Sequence, residues 1–267
     1  MKTYTRLKLD LSAPAARITL DRPEVRNAFD DRLIGEILDA LQETHEAWDA
    51  AAGQAPRALV LTGAGESFCA GADMNWMRRS AGYSRDENEA DAMRMAAMLR
   101  ALDELPLPTI ARVNGACLGG GMGLIACCDV VVSADGAKFG FTEARLGIAP
   151  AVISAFVLPK IGASAARRHF LTAEIFGAAE AKAMGLVHEV VPAGDLDAAV
   201  EGFMAALNGN GPHAVSAAKM LVREALARPR KDAIENAVRV IAALRASAEE
   251  QEGLGAFLEK RPPSWKR

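Results

Sequence analysis

Short apolar segments that alternate with helix-like segments restrict the fold of this chain more than any other feature. The strand-like segments are residues 58–62, 109–113 and 130–133, and a loop of small residues followed by a helix-like segment comes after each of the first two. Parallel strands need a long crossover connection, which a helix usually supplies. The sequence therefore predicts an α/β fold with a largely parallel sheet.

The remaining N-terminal segments fit the same plan. Strands are predicted at residues 4–9 and 16–20, and an amphipathic helix is predicted from Asp30 onwards. A helix rich in methionine and alanine is predicted at about residues 88–105, where the prolines that follow stop it. Residues 82–85, which precede this helix, are predicted to be mobile. Short helices are also predicted at residues 74–77 and 124–128.

The pattern becomes helical beyond about Gly162. Helix-like segments cover residues 164–171, 178–184, 196–207, 212–227 and 232–248, with one strand-like piece at residues 186–191. No long linker or internal repeat separates these segments from the rest of the chain. We therefore predict a main α/β domain over residues 1–195 and a helical region over residues 196–267.

Charge and composition exclude several classes of protein. Hydrophobic residues make up 51% of the 267 residues, and the formal net charge of −3 lacks the basic character of nucleic-acid-binding proteins. The longest weakly polar run, residues 115–128, is shorter than the roughly 20 apolar residues that cross a bilayer. No apolar signal segment follows the first residues, so we expect a cytoplasmic protein that does not associate with membranes.

The cysteine and histidine residues do not have the spacing of a metal site. Cys69, Cys117, Cys127 and Cys128 include no C-x-x-C pair, and the four histidines form no pair with ligand spacing. A chain that can build a large core also has little need of a disulfide framework. We therefore expect reduced thiols and no bound metal ion.

Two loops rich in small residues, at residues 67–73 and 114–121, each follow a strand-like segment and lead into a helix-like one. Small side chains let a ligand approach the main chain, and the free N–H groups at a helix start point outward. Two such loops facing one point would hold a developing oxyanion between their N–H groups. Close packing of helix on strand explains the small residues equally well.

Glu143 is the one carboxylate in the segment 139–150, which is mostly apolar and contains glycine and proline near its ends. Desolvation in such a segment would raise the pKa of the Glu143 carboxyl group toward the value that suits a general acid or base. The alternative is an exposed ion pair with Arg145, which would contribute little to stability.

Four motifs stand in order along the chain. They are Arg22-Pro23 with Asn27-Ala28-Phe29, Phe68-Cys69-Ala70-Gly71-Ala72-Asp73, Asn114-Gly115 with Gly119-Gly120-Gly121, and Phe139-Gly140 with Glu143, Gly147-Ile148 and Pro150. In this combination they resemble the enoyl-CoA hydratase/isomerase (crotonase) superfamily. Residues 179–191 fit as well, so the resemblance extends over nearly the whole chain.

The resemblance implies both a fold and an activity. The fold would be a spiral of turns, each built of two strands and a helix, with a C-terminal helical region that forms trimers or dimers of trimers. The substrate would be an acyl group on coenzyme A, and no cofactor would be needed beyond the CoA of that substrate. By position, the backbone N–H groups of Ala70 and Gly120 would bind the thioester oxygen, while Glu143 would handle the transferred proton.

The resemblance also implies which residues would contact the CoA or acyl group. These are Arg26, Ala28, Ala72, Asp73, Met74, Gly123 and Arg145. Arg26 is the candidate for the CoA phosphates, because a guanidinium group binds phosphate well; an exposed side chain without a ligand is equally compatible with its position. Arg145 would meet a carboxylate of the substrate or, alternatively, pair with an acidic residue of the protein.

One departure from the family pattern bears on the reaction. Well-studied hydratases of this family have a glutamate just after the triple glycine, whereas this chain has Gly123 there and retains only Glu143. A single carboxylate can pass the proton of water onward, or it can move a proton between two carbons, which is isomerisation. Hydration is therefore the main prediction and isomerisation the alternative. A non-catalytic acyl-CoA-binding oligomer is a third interpretation.

Residues 72–77, 121–124 and 145–154 resemble a narrower branch of the family, the hydratases of methylglutaconyl-CoA and isohexenylglutaconyl-CoA. This narrower resemblance implies a branched or carboxylated enoyl-CoA as the substrate. It also implies a role in the breakdown of leucine or of acyclic terpenes.

Overall fold

The computed structural model describes residues 2–12, 14–50 and 55–266. Over these residues the strands are β1 (Leu7–Asp10), β2 (Ala15–Leu20), β3 (Ala58–Gly63), β4 (Ser67–Cys69), β5 (Thr109–Val113), β6 (Ala116–Leu118), β7 (Val130–Ala134), β8 (Lys138–Gly140), β9 (Phe176–Gly177) and β10 (Glu189–Val191). They form one sheet in the order β1-β2-β3-β5-β7-β10 and another in the order β4-β6-β8-β9. Only β1 and β9 pair antiparallel in these two sheets.

Helices connect the strands and make up the C-terminal region. They are α1 (Asp31–Ala50), α2 (Met74–Ser80), α3 (Arg85–Asp103), α4 (Gly120–Cys127), α5 (Ala151–Thr172), α6 (Ala178–Ala183), α7 (Leu196–Asn208), α8 (Pro212–Ala227), α9 (Arg230–Arg245) and α10 (Ala248–Leu258). The backbone of α5 is interrupted at Gly162, whose φ is +70°. A glycine accepts this left-handed conformation without the strain that a side chain would cause.

The two sheets share a repeated unit. The strand pairs β3–β4, β5–β6 and β7–β8 each place their first strand in the larger sheet and their second strand in the smaller one, and a helical segment follows each pair. Successive units add parallel strands to both sheets, as helical crossovers require. The expected α/β fold, with its spiral of two-strand-and-helix turns and its C-terminal helices, is therefore confirmed.

The middle strand β3 shows why the larger sheet is so apolar, because all six of its residues are buried. Leu59 and Leu61 face the main core, whereas Ala58 and Val60 belong to a second cluster that also contains Leu196 and other residues of α7. Alternate residues of a strand point to opposite faces, so a sheet covered on both sides needs a continuous apolar run.

Helix α3 begins earlier than the sequence pattern predicted. Residues 82–85 were expected to be mobile, but Ser84 forms a capping box in which its Oγ accepts from the Glu87 N–H at 3.3 Å and its N–H donates to Glu87 Oε2 at 2.7 Å. This arrangement satisfies free donors at the start of a helix, so α3 begins at Arg85 instead of Asn88.

The C-terminal region divides between the core and the surface. Helix α7 packs on the larger sheet, whereas α8 and α9 have no buried residue. Large apolar side chains of α8, α9 and α10 are exposed: Val222, Leu226, Ile234, Val238, Ile241, Leu254, Phe257 and Leu258. Among the described residues, no helix is long and apolar enough to cross a bilayer. The domain boundary at residue 195 stays a prediction.

Candidate active site

A cavity of about 360 Å³ lies at the carboxyl ends of three parallel strands of the smaller sheet. Chain reversals after parallel strands commonly gather ligand-binding groups at such an edge. The lining residues that follow the strands are Ala70, Gly71 and Ala72 after β4, Gly119 and Gly120 after β6, and Thr142 and Glu143 after β8. Four predicted site residues, Ala70, Ala72, Gly120 and Glu143, therefore come together in one place.

The loop after β4 is held by a short pairing with Phe29. The Phe29 N–H donates to the Gly71 carbonyl at 2.7 Å, and the Asp73 N–H donates to the Phe29 carbonyl at 2.7 Å. The residue between these two partners, Ala72, directs its own N–H away from Phe29 in such a parallel pairing. No acceptor among residues 2–12, 14–50 and 55–266 takes the Ala72 N–H, so it is available to a ligand in the cavity.

The prediction that Ala70 supplies a backbone donor is wrong. Its N–H already donates to the Arg26 carbonyl at 3.0 Å, which anchors the loop against the turn that precedes α1. A donor engaged in this way would have to give up one hydrogen bond to make another. The free amide of this loop belongs to Ala72, two residues later.

The loop after β6 brings its backbone close to both Glu143 and the first loop. Gly119 has φ +50° and ψ −121°, a conformation that favours glycine. A Cβ atom on Gly119 would lie 3.6 Å from Glu143 Oε1 and 3.6 Å from the Gly71 Cα. Helix α4 begins at the next residue, so the Gly120 N–H is one of the free donors of the first helical turn.

Glu143 stands in the cavity with a carboxylate that is only partly satisfied. It starts a 3₁₀ turn over Glu143–Leu146, and its Oε2 is buried without a hydrogen-bond partner in the part of the chain that the structure describes. Desolvation by burial raises the pKa of this carboxyl group above its ordinary value of 4.5. The expected desolvated carboxylate is thus present, and Arg145 does not pair with it.

The position of the missing second glutamate is filled by a neighbouring side chain. Gly123 is buried, and a Cβ atom there would lie 2.5 Å from Ile153 Cγ2 and 3.3 Å from Leu99 Cδ1. Gly123 therefore lies behind Ile153, which itself lines the cavity. Gly123 is not among the described residues that line the cavity, so its contact with the substrate stays a prediction that this geometry does not support.

We expect Gly123→Ala to destabilise the protein by about 1–3 kcal/mol, because overpacking against Ile153 outweighs the better helix propensity of alanine. In an Ile153→Ala background the same substitution should cost less, because the 2.5 Å contact with Cγ2 is removed, whereas the Cβ of residue 153 and Leu99 Cδ1 remain near the added methyl group. Urea unfolding of the four proteins of this double-mutant cycle measures the difference. Equal effects in both backgrounds would contradict the packing account.

Arg22, a buried arginine that was not predicted as a site residue, holds the loop after β4 in place through hydrogen bonds. Arg22 is 6% exposed, and its guanidinium donates to the Ala28 carbonyl at 2.6 Å and to Asp73 Oδ2 at 2.8 Å. Its Nη1 also lies 3.2 Å from Asp30 Oδ2. Asp73 in turn caps α2 by accepting from the Asn75 N–H at 2.8 Å. Ala28 and Asp73 thus have structural partners and do not line the cavity.

The other residues predicted to bind the substrate lie outside the cavity lining. Arg26 is exposed in a left-handed turn with φ +54°, and Met74 is 65% exposed at the start of α2. The Arg145 guanidinium donates to the Ala173 carbonyl at 2.5 Å, beyond the end of α5. The assignment of Arg26 and Met74 to a CoA path along the surface stays a prediction.

The four cysteines are free and buried, and burial raises the pKa of the Cys69 thiol to about 12. Such thiols are poor nucleophiles and poor metal ligands, because the reactive form is the thiolate. Among the residues that the structure describes, no group of three His, Cys, Asp or Glu side chains is placed to hold a metal ion. Among the described residues that line the cavity, Glu143 is the one ionisable side chain, and it lies beside the backbone amides of the two loops.

Known proteins share both the sequence pattern and this architecture. A family model described as Enoyl-CoA hydratase/isomerase matches residues 11–267. The crystal structure of an enoyl-CoA hydratase from Shewanella pealeana is 38% identical, with a TM-score of 0.91 over 98% of this chain and 96% of that one. AtuE of Pseudomonas aeruginosa is 34% identical, with a TM-score of 0.93 over 98% of this chain and 100% of that one. Crotonyl-CoA hydratase of Syntrophomonas wolfei is 31% identical over 97% of this chain and 96% of its own.

Proposed function

The chain belongs to the enoyl-CoA hydratase/isomerase family, and from that premise we propose that it adds water across the 2,3-double bond of an enoyl-CoA thioester. The observation that carries the proposal is the Glu143 carboxylate in the cavity wall: its Oε1 lies beside Gly119, and its Oε2 is buried without a hydrogen-bond partner among the described residues. A carboxylate placed in this way is suited to take a proton from water and to return it to carbon.

The first step would form the bond between water and the substrate. Glu143 accepts a proton from water while the water oxygen attacks C3 of the enoyl group. The electron pair of the double bond moves toward the thioester, and its carbonyl oxygen gains negative charge. The N–H groups of Ala72 and Gly120 would donate to that oxygen, as an oxyanion hole does.

The second step would complete the addition with the same side chain. Glu143, now protonated, gives its proton to C2, and the enolate returns to a thioester. One carboxylate is enough for this sequence because the proton that it receives is the proton that it later donates. The atoms of one water molecule are thereby added, and no second glutamate at position 123 is required.

The product mass distinguishes hydration from isomerisation. We expect a 2-enoyl-CoA to lose its conjugated thioester absorbance and to gain the mass of one water molecule. If a 3-enoyl-CoA gains the conjugated absorbance without a change of mass, and 2-enoyl-CoA substrates take up no water, the enzyme is an isomerase. Binding of acyl-CoA without turnover of either substrate would favour the non-catalytic interpretation.

The proposed donation from the Ala72 N–H to the thioester oxygen can be tested by removing that N–H. We expect Ala72→Pro to lower kcat by about 10²–10³-fold, because proline has no N–H to donate to the oxyanion. Ala72→Ser, which keeps the amide, should lose far less activity. Circular dichroism and thermal unfolding test whether both variants fold. A folded Ala72→Pro enzyme with the kcat of the parent would remove this amide from the mechanism.

A trimer or a dimer of trimers is also part of the proposal. It is supported by the exposed apolar side chains of α8, α9 and α10, which a monomer would leave in water. Sedimentation equilibrium tests this assembly directly. The narrower proposal of a carboxylated acyl group, and with it a place in leucine or terpene breakdown, would need a cationic group near the cavity that Glu143 lines.

A further inference from the structure

Glu143 lies between two residues that attach to the same end of helix α5. Phe141, two positions before it, is buried, and its ring packs edge-on against that of Phe170 with 4.8 Å between the ring centroids. Arg145, two positions after it, donates from its guanidinium to the Ala173 carbonyl at 2.5 Å. The turn that carries Glu143 is therefore attached to the C-terminal end of α5 on both sides.

The guanidinium of Arg145 supplies an attachment that the backbone of the turn does not. The backbone hydrogen bonds of the turn, such as the one from the Ile148 N–H to the Glu143 carbonyl at 3.3 Å, join its residues to each other. They fix the shape of the turn but not its position. In the described part of the chain, the bond from Arg145 to Ala173 is the one side-chain hydrogen bond that joins residues 142–149 to another element.

The Ala173 carbonyl is a well-fixed acceptor for this bond. Ala173 is 2% exposed, and its N–H donates to the His169 carbonyl at 3.0 Å, which closes the last turn of α5. A carbonyl at the end of a helix carries partial negative charge, and a charged donor binds such an oxygen more strongly than a neutral donor does. Arg145 can therefore hold the turn even though its side chain lies at the surface.

The Glu143 carboxylate takes its position from the turn that carries it. Its Oε2 is buried without a hydrogen-bond partner over the described ranges 2–12, 14–50 and 55–266, and its own backbone N–H supplies the hydrogen bond that stabilises the ionised form. The place of the carboxylate beside Gly119 therefore depends on where the turn lies. Misplacement of a reacting group by about 1 Å can cost a factor of about 100 in rate.

We propose, on the basis of the acid–base role of Glu143 proposed above, that Arg145 is a positioning residue whose bond to the Ala173 carbonyl holds Glu143 in the cavity wall. This role differs from the contact with a substrate carboxylate that the sequence resemblance implied for Arg145. It concerns the placement of Glu143, so it can fail while the hydratase function stands.

Replacing Arg145 in the full-length enzyme separates positioning from binding. We expect Arg145→Gln to lower kcat for hydration by about 10–100-fold, while Kd for a saturated acyl-CoA stays within about twofold of the parent. Arg145→Lys, which can still donate to a carbonyl, should recover part of the loss. Arg167→Gln, an exposed arginine on α5, is the matched control and should keep kcat within a factor of about two.

The outcomes of this comparison are decisive. A folded Arg145→Gln enzyme with the kcat of the parent would overturn the inference, and so would a rise in Kd that accounts for the whole loss of activity. If Arg145→Gln does not fold, Arg145→Lys serves for the same measurements, with a lower kcat at unchanged Kd as the expected result.

A double-mutant cycle with Glu143→Gln tests whether Arg145 acts through Glu143. Glu143→Gln has already lost the proton transfer, so adding Arg145→Gln should lower the remaining kcat by no more than about twofold. An equal loss in both backgrounds would show that Arg145 acts independently of Glu143, which would overturn the inference.

Two substrates of equal chain length distinguish positioning from recognition of a substrate carboxylate. If Arg145 positions Glu143, Arg145→Gln will lower kcat by the same factor for hex-2-enoyl-CoA and for 2,3-dehydroadipyl-CoA, which ends in a carboxylate. A loss confined to 2,3-dehydroadipyl-CoA would show that Arg145 binds the carboxylate of the substrate, and it would overturn the inference.

Failure of the hydratase function would be recognised separately in the parent enzyme. If the parent adds no water but moves the double bond of a 3-enoyl-CoA, the hydratase function is wrong. The same cycle is then measured on that isomerisation, where Glu143 again transfers the proton and the same fall in kcat is expected. If the parent turns over neither class of substrate, the function and the inference are both overturned.

Discussion

Glu143→Gln is expected to lower kcat for hydration by about two to four orders of magnitude, the range for loss of a general acid–base group. Glutamine keeps the size and shape of the side chain but cannot accept a proton from water. The effect should lie near the upper end of that range, because Glu143 is the one ionisable side chain among the described residues of the cavity wall and would serve both proton transfers.

Product formation in single-turnover reactions measures this effect, and the Kd for a saturated acyl-CoA separates catalysis from binding. Glu89→Gln, an exposed glutamate on α3, is the matched control and should retain the activity of the parent within a factor of about two. If Glu143→Gln turned over at the rate of the parent, the proposed mechanism would be wrong.

The pH dependence of activity and stability, compared between the parent and Glu143→Gln, gives a second test of the role of Glu143. As the base, Glu143 is active when ionised, so kcat/KM of the parent should rise with pH through a pKa above 4.5. For a carboxyl group whose pKa is raised by folding, the folded state binds more protons than the unfolded state between the two pKa values. Stability therefore falls as pH rises through that window. Glu143→Gln should thus be more stable than the parent at pH 7, and this advantage should vanish below the unfolded pKa near 4.5.

The main strands could be predicted from the sequence because burial on both faces leaves a continuous apolar run, as in β3. The strands of the smaller sheet could not be predicted in this way. The segments Ser67–Cys69 and Ala116–Leu118 have three residues each, and they become strands only by pairing with each other and with β8. The start of α3 was predictable in principle, since Ser84 and Glu87 have the spacing of a capping box.

The loops that form the site could be predicted from the sequence, but the individual backbone amides that remain free in them could not. Glu143 lies in the expected cavity, whereas the free amide of the first loop belongs to Ala72 and not to Ala70. Which amide is free depends on the pairing of that loop with Phe29, more than 40 positions away in sequence. Ile153 was missed for the same reason, because only the fold brings its side chain against Gly123.

Arg22→Leu is expected to lower the free energy of unfolding by about 3–5 kcal/mol, the usual cost of removing one partner from a buried ion pair. The guanidinium of Arg22 contacts two carboxylates, of Asp73 and Asp30, whose side chains are also buried. Leucine would fill most of the space but leave these acidic groups without their shared cation. Urea unfolding measures the loss, and Arg32→Leu on the surface of α1 is the control, with an expected change within about 0.5 kcal/mol.

A second substitution distinguishes loss of charge from loss of packing at Arg22. Burial alone would raise the pKa of Asp73, but the hydrogen bond from Arg22 and those from the Asn75 and Trp76 amides lower it below 3.8. Asp73→Asn keeps a side chain that can cap α2 and removes the buried charge. It should therefore destabilise the parent but recover part of the stability lost in Arg22→Leu. If Asp73→Asn costs the same in both backgrounds, the charge of Asp73 is not what Arg22 stabilises, and the contribution of Arg22 comes from its packing.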